Sequence, residues 1–118
     1  MGHWHDVATE LAEPTRSLRE AIPDAWGGFA QMHRGAMQEG VLSAALKEVL
    51  ALVIAVTAEC DGCITYHARG AARKGATPEQ VAEALGVALL MMGGPATTWA
   101  PRAWQAYQEF RADQPVQG

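Results

Sequence analysis

The sequence predicts an all-α fold of five to six helices, in one domain spanning residues 1–118. Three observations carry that expectation. Alanine is the commonest residue, at 23 of 118 positions, and β-branched residues are few outside one segment. Both features favour helix over strand. Glycine and proline fall where helices would start and stop. Between Leu46 and Val56 apolar residues recur on every side of a helix, the pattern of a central buried helix.

The elements follow in order. "HDVATELAEPTRSLREA" (5–21) reads as a weak first helix, interrupted near Pro14. Pro23 then suits the first turn of a second helix, "PDAWGGFAQMHRGAMQ", which Gly27 and Gly28 weaken and Glu39-Gly40 end. Ser43 is placed to cap "SAALKEVLALVIAVTAE". A fourth helix is expected from about Cys60 to Lys74, with Gly75 as its C-terminal cap. Thr77, Pro78 and Gln80 form a start signal for "PEQVAEALGVALLMM", and Gly93-Gly94 stops it. A last helix should begin at Pro95 and kink or restart at Pro101. The tail "DQPVQG" is expected to fray.

Charge and composition remove several function classes. Hydrophobic residues make up 49% and charged residues 19%, so the chain should bury a core rather than stay disordered. Net charge is -4, and no run of Lys and Arg exceeds two. Neither nucleic acid nor an anionic membrane surface is an expected partner. The longest apolar run, "VLALVIAV", falls well short of the roughly 20 residues a membrane span needs. No basic segment followed by an apolar one opens the chain, so a cytoplasmic location is expected.

Chemistry concentrates in "AECDGCITYHARG" (58–70), which holds both cysteines. Cys60, Cys63 and His67 are spaced i, i+3, i+7 and fall on one stripe of a helix. The cysteines lie at the helix start, where unpaired N–H groups and the dipole favour a thiolate, the reactive form. His67, one turn after Cys63, suits proton transfer to and from a thiol. Three readings of this stretch are open: a redox dithiol, half of a metal site, or two small residues sharing a turn. A zinc site would need His33, Glu48 or Glu59 as a fourth ligand.

Glu48 is the second unusual residue, a carboxylate in a run of apolar neighbours. It either faces solvent beside Lys47 or orients His67 as the third group of an activated nucleophile. It precedes Cys60 by 12 residues, about 18 Å along a straight helix. Contact with His67 therefore requires the chain to reverse tightly around Asp61. His33, from the preceding helix, and Trp99, after the "GGPATT" loop, are candidate pocket residues. The ordinary alternatives are a surface or interface His33 and a core Trp99.

The pattern E-x11-C-x2-C-x3-H, here Glu48, Cys60, Cys63 and His67, resembles the motif of the alkylhydroperoxidase D-like, carboxymuconolactone decarboxylase superfamily. "LSAALKEVLALVIAVTAECDGCITYHARGAARKGATPEQVAEAL" resembles the family core, and "MMGGPATTWAPRA" its glycine-rich segment. The likeness spans roughly Pro23 to Phe110. It implies an all-α bundle assembled as a homo-oligomer, a trimer or hexamer. It implies thiol-dependent peroxide reduction or disulfide exchange, with no cofactor or metal. Carried over, Cys63 is the attacking thiol, deprotonated through His67 and Glu48, and Cys60 resolves it to a disulfide. A peroxide or disulfide substrate and an external dithiol reductant are the implied partners. The lactone decarboxylase branch resembles this chain in fold but typically lacks the dithiol. A redox-sensing or structural protein of the same fold is the other alternative. Two positions depart from the pattern. The best-studied members carry a second His between the cysteines, where this chain has Gly62. Asp61 adds a negative charge beside the thiols.

Overall fold

The computed structural model describes residues 2–115. Six helices and no strand are present among them: α1 (His3–Ala21), α2 (Pro23–Met37), α3 (Ala44–Thr57), α4 (Asp61–Arg73), α5 (Pro78–Met92) and α6 (Ala96–Arg111). Of the tail expected to fray, residues 116–118 lie outside the described residues; Asp113 and Gln114 are instead held by N–H bonds to the Phe110 and Arg111 carbonyls, at 3.1 and 3.0 Å.

Local chemistry sets the helix ends. Ser43 Oγ accepts the Leu46 N–H to start α3. Thr77 and Gln80 cap each other's backbone at the start of α5, a full capping box. Gly75 and Gly93 follow α4 and α5 with positive φ, which glycine adopts without steric cost.

Two expectations are corrected. α1 runs unbroken through Pro14, and α6 runs unbroken through Pro101. Both prolines are exposed, so the hydrogen bond each removes faces water, which solvates the freed carbonyl.

α3 and α4 form the centre. α3 packs against α4, α5 and α6, and α4 against α3, α6 and α1. The core is Trp4, Leu52, Val56, Ile64, Val81, Tyr107 and Phe110, set among buried alanines such as Ala68, Ala71, Ala103 and Ala106. Small residues on α4 and α6 let the two backbones approach closely. Tyr107 is fully buried and donates its hydroxyl to the Ala76 carbonyl at 2.5 Å, tying α6 to the α4–α5 connection. Burial raises the Tyr107 pKa, which keeps this donor protonated.

α2 behaves differently, because none of its residues is buried. Phe29 and Met32 are well exposed on it. The radius of gyration, 14.6 Å, exceeds the roughly 13.5 Å of a compact domain of this length. α2 packs only lightly, against α1 and α3.

Candidate functional site

The site is built on the reversal between α3 and α4. The turn comes slightly earlier than Asp61, at Ala58 to Cys60. The Glu59 N–H bonds the Val56 carbonyl at 3.1 Å, and the Cys60 N–H bonds the Ala55 carbonyl at 3.2 Å. That pair of bonds is a Schellman closure of α3. Its left-handed position is occupied by Glu59, at φ 53°, rather than by glycine. Cys60 then serves as the N-cap of α4, its sulfur accepting the Cys63 N–H at 3.2 Å. One cysteine thus closes α3 and opens α4. Cys60 and Cys63 are joined as a disulfide, with Cα atoms 5.2 Å apart. Cys63 is exposed and Cys60 half-buried.

The reversal brings α4 back beside α3, and Glu48 meets His67. Glu48 Oε2 lies 2.8 Å from His67 Nδ1, with the two side chains 11% and 23% exposed. The 12-residue offset along α3 is cancelled by the return path along α4. A carboxylate facing Nδ1 favours the tautomer with its proton there, leaving the Nε2 lone pair to accept a proton. Cys63 lies one turn earlier on the same face of α4.

Gly70 makes this approach possible. A Cβ at that position would sit 2.5 Å from the Glu48 Cδ. Any side chain there displaces the carboxylate. The sequence carried a signal, since a glycine inside a helix costs about 1 kcal/mol relative to alanine. Read from sequence, however, it gave no indication of what approached it.

The thiol end has a second ion pair. Asp61 Oδ1 and Oδ2 accept from Arg102 Nη2 at 3.0 and 2.9 Å. The Arg102 guanidinium lies over the rings of Trp4, at 5.3 Å, and Trp99, at 5.0 Å. Trp99 packs against the core and flanks Arg102. Sequence reasoning missed Arg102, because 41 residues separate it from its partner. His33 reaches the site from α2, its ring stacked on His67 with centroids 6.3 Å apart and planes 18° off parallel.

A separate cluster ties α1 to α6. His5 Nδ1 lies 2.5 Å from Glu109 Oε2, and His5 Nε2 lies 2.6 Å from Asp113 Oδ2. The Asp113 hydrogen bond raises the His5 pKa. Burial opposes it and Glu109 adds to it. Burial pushes the Glu109 carboxyl up, but hydrogen bonds from the His5 and Trp4 N–H groups and the His5 ring outweigh it and hold the carboxyl below its usual range. Among the described residues no group of three His, Cys, Asp or Glu side chains is arranged to hold a metal ion.

Comparison with known proteins places the chain and its fold among relatives. The sequence model of the carboxymuconolactone decarboxylase family matches residues 23–106. An uncharacterized protein of Cupriavidus necator is 37% identical over 110 residues, covering 91% of this chain and 97% of its own. The uncharacterized protein 4 in the cox locus of Paracoccus denitrificans is 35% identical, covering 88% of this chain and 90% of its own. The crystal structure of a carboxymuconolactone decarboxylase family protein from Legionella pneumophila, in its apo form, superposes with a TM-score of 0.89. It is 30% identical, and the match covers 92% of this chain and 96% of that one.

Proposed function

The chain belongs to the carboxymuconolactone decarboxylase family, and from that premise we propose that it is a thiol-dependent peroxidase and disulfide oxidoreductase. The observation that carries this reading is the 2.8 Å contact between Glu48 and His67, one helical turn from a paired Cys60 and Cys63. A dithiol beside an oriented imidazole can cycle between two thiols and a disulfide while protons are managed locally.

The reaction starts from the reduced pair. His67, held by Glu48, takes the Cys63 proton. The thiolate attacks the distal peroxide oxygen, an S–O bond forms, and the O–O bond breaks. The leaving alkoxide takes the proton from His67 and departs as an alcohol. Cys63 is now a sulfenic acid. The Cys60 thiol attacks its sulfur, an S–S bond forms, and water leaves. An external dithiol then exchanges through a mixed disulfide, is itself oxidised, and returns both cysteines to thiols. The exposed position of Cys63 and the half-buried position of Cys60 support this division of roles. The capping bond from the Cys63 N–H would also stabilise negative charge on Cys60 as the leaving sulfur during reduction.

The proposed setting is a reducing compartment, the cytoplasm, where dithiol carriers operate. The proposed assembly is a homo-oligomer, supported by the exposed apolar side chains of α2, α3 and α5. The lactone decarboxylase alternative is disfavoured by the intact dithiol. Gly62, where a second proton carrier would stand between the cysteines, favours a second reading: a redox sensor that oxidises once and turns over slowly.

Steady-state consumption of an organic hydroperoxide in the presence of dithiothreitol tests the proposal. Sustained turnover that disappears in Cys63→Ser supports the enzyme. A single stoichiometric oxidation followed by no turnover supports the sensor, and turnover retained in Cys63→Ser overturns both.

A further inference from the structure

Asp61 is the first residue of α4, directly after Cys60. Its carboxylate and a thiolate compete for the same helix terminus, where one partial positive charge is available. A second anion at that terminus raises the free energy of the first. Left alone, Asp61 would suppress the form of the thiols that reacts.

The structure supplies a counter-charge from a different helix. Arg102 of α6 places one guanidinium nitrogen within 3.0 Å of both Asp61 oxygens. The guanidinium is held over two indole rings, Trp4 from α1 and Trp99 from α6. Aromatic faces attract a cation and limit its motion. Arg102 Nε is buried and has no hydrogen-bond partner among the described residues. The contacts that hold the side chain are thus Asp61 and the two indoles, and they hold it although one buried donor stays unpaired.

We propose that Arg102 is a positioning residue for the dithiol: by neutralising Asp61 it keeps a reactive thiolate present at neutral pH and holds the start of α4 against α6. The proposal rests on the redox reading of Cys60 and Cys63, but its test uses no peroxide. The other charged or titratable groups near the cysteines are the exposed Glu59, which precedes Cys60 in the turn, His67 one helical turn after Cys63 with Glu48 of α3 behind it, and His33 of α2 stacked on His67. The α1 contact at Gly62 is the apolar Leu11. Of the two carboxylates that flank Cys60, Asp61 begins the helix and is the one that Arg102 pairs with, whereas Glu59 is open to water.

The experiment measures the alkylation rate of the reduced full-length protein with iodoacetamide as a function of pH. Arg102→Gln, Arg102→Lys, Asp61→Asn and the double variant are compared with the native chain. In Arg102→Gln, alkylation near neutral pH should slow by about three- to tenfold, and its onset should move to higher pH. Asp61→Asn should react about threefold faster, since the cation is then unopposed. The double variant should return to within about twofold of the native rate, and Arg102→Lys should retain it. Equilibration with dithiothreitol should shift Arg102→Gln toward the disulfide, because its reduced form is less stabilised. A native rate in Arg102→Gln, or a double variant as slow as Arg102→Gln, overturns the proposal. Circular dichroism reports whether Arg102→Gln is folded. If it is not, Asp61→Asn alone decides, and an unchanged alkylation rate in that variant overturns the proposal. Absent peroxide turnover with these shifts intact would refute the peroxidase reading and leave the role of Arg102 standing.

Discussion

At the scale of single residues, the site depends on one carboxylate reaching one imidazole through a gap left by a glycine. Glu48 and His67 were legible as a spaced pattern, because acidic residues in apolar runs are rare. Gly70 drew no reading from the sequence, where it is one glycine inside a helix. Its purpose is a close approach from another helix, and periodicity within one helix carries no information about that. Arg102 was invisible for the same reason, since its partner lies 41 residues away. Gly70→Ala should show the trade directly. A helical glycine replaced by alanine ordinarily gains up to about 1 kcal/mol. Here the new Cβ meets the Glu48 carboxylate. The expected outcome is no net gain in stability and a fall in peroxide turnover of at least about tenfold, the loss of an oriented proton carrier. Denaturant unfolding and steady-state kinetics check the two halves. A stabilised and fully active Gly70→Ala variant would contradict the geometry.

At the scale of elements, helix ends were readable and helix interruptions were not. Ser43, Thr77, Gly75 and Gly93 carry local capping chemistry, so their positions follow from short-range rules. Pro14 and Pro101 obey the same rules in isolation, yet both helices continue because the prolines face water. Burial decides that outcome, and burial belongs to the tertiary structure. The clamp between α1 and α6 is also tertiary, and it is sensitive to pH. His5 titrates above its ordinary value of 6.5 in the folded protein. Its contribution is therefore complete below pH 6.5 and is lost as pH rises through the raised folded value. Glu109 titrates below 4.5 when folded, so its contribution is present above pH 4.5 and is lost as pH falls through the lowered value. The clamp should stabilise most between these limits. The difference in melting temperature between the native chain and His5→Gln should be largest there and shrink as pH rises above 6.5. A difference independent of pH would show that the histidine contributes only packing.

At the scale of the whole molecule, the sequence announced the class of fold and left its assembly open. All-round hydrophobicity marked α3 as central, and it does pack against four helices, α2, α4, α5 and α6. The same pattern holds more apolar surface than one small core can hide, and the structure shows where the excess lies. Leu46, Leu50 and Ile54 form a stripe along α3, each more than 40% exposed, and Val87, Leu90 and Met91 add to it on α5. Between these helices runs a groove of about 330 Å³ lined by Leu46, Val49, Gln80, Glu83, Ala84 and Val87. A monomer rarely carries such a surface in water. Light scattering should give a mass of several chains, and Leu50→Lys should lower it. A native protein that runs as a monomer would refute the assembly. The proposed function belongs to this scale too, since the cysteines and His67 come from α4 and its N-cap, Glu48 from α3 and Arg102 from α6. The most direct measurement is a free-thiol count on reduced protein, followed in time after one equivalent of hydroperoxide. The native chain should lose both thiols together, to an intramolecular disulfide, and His67→Ala should lose them at least about a hundredfold more slowly. Two thiols that stay free after peroxide, or a His67→Ala variant that reacts as fast as the native chain, would contradict the mechanism.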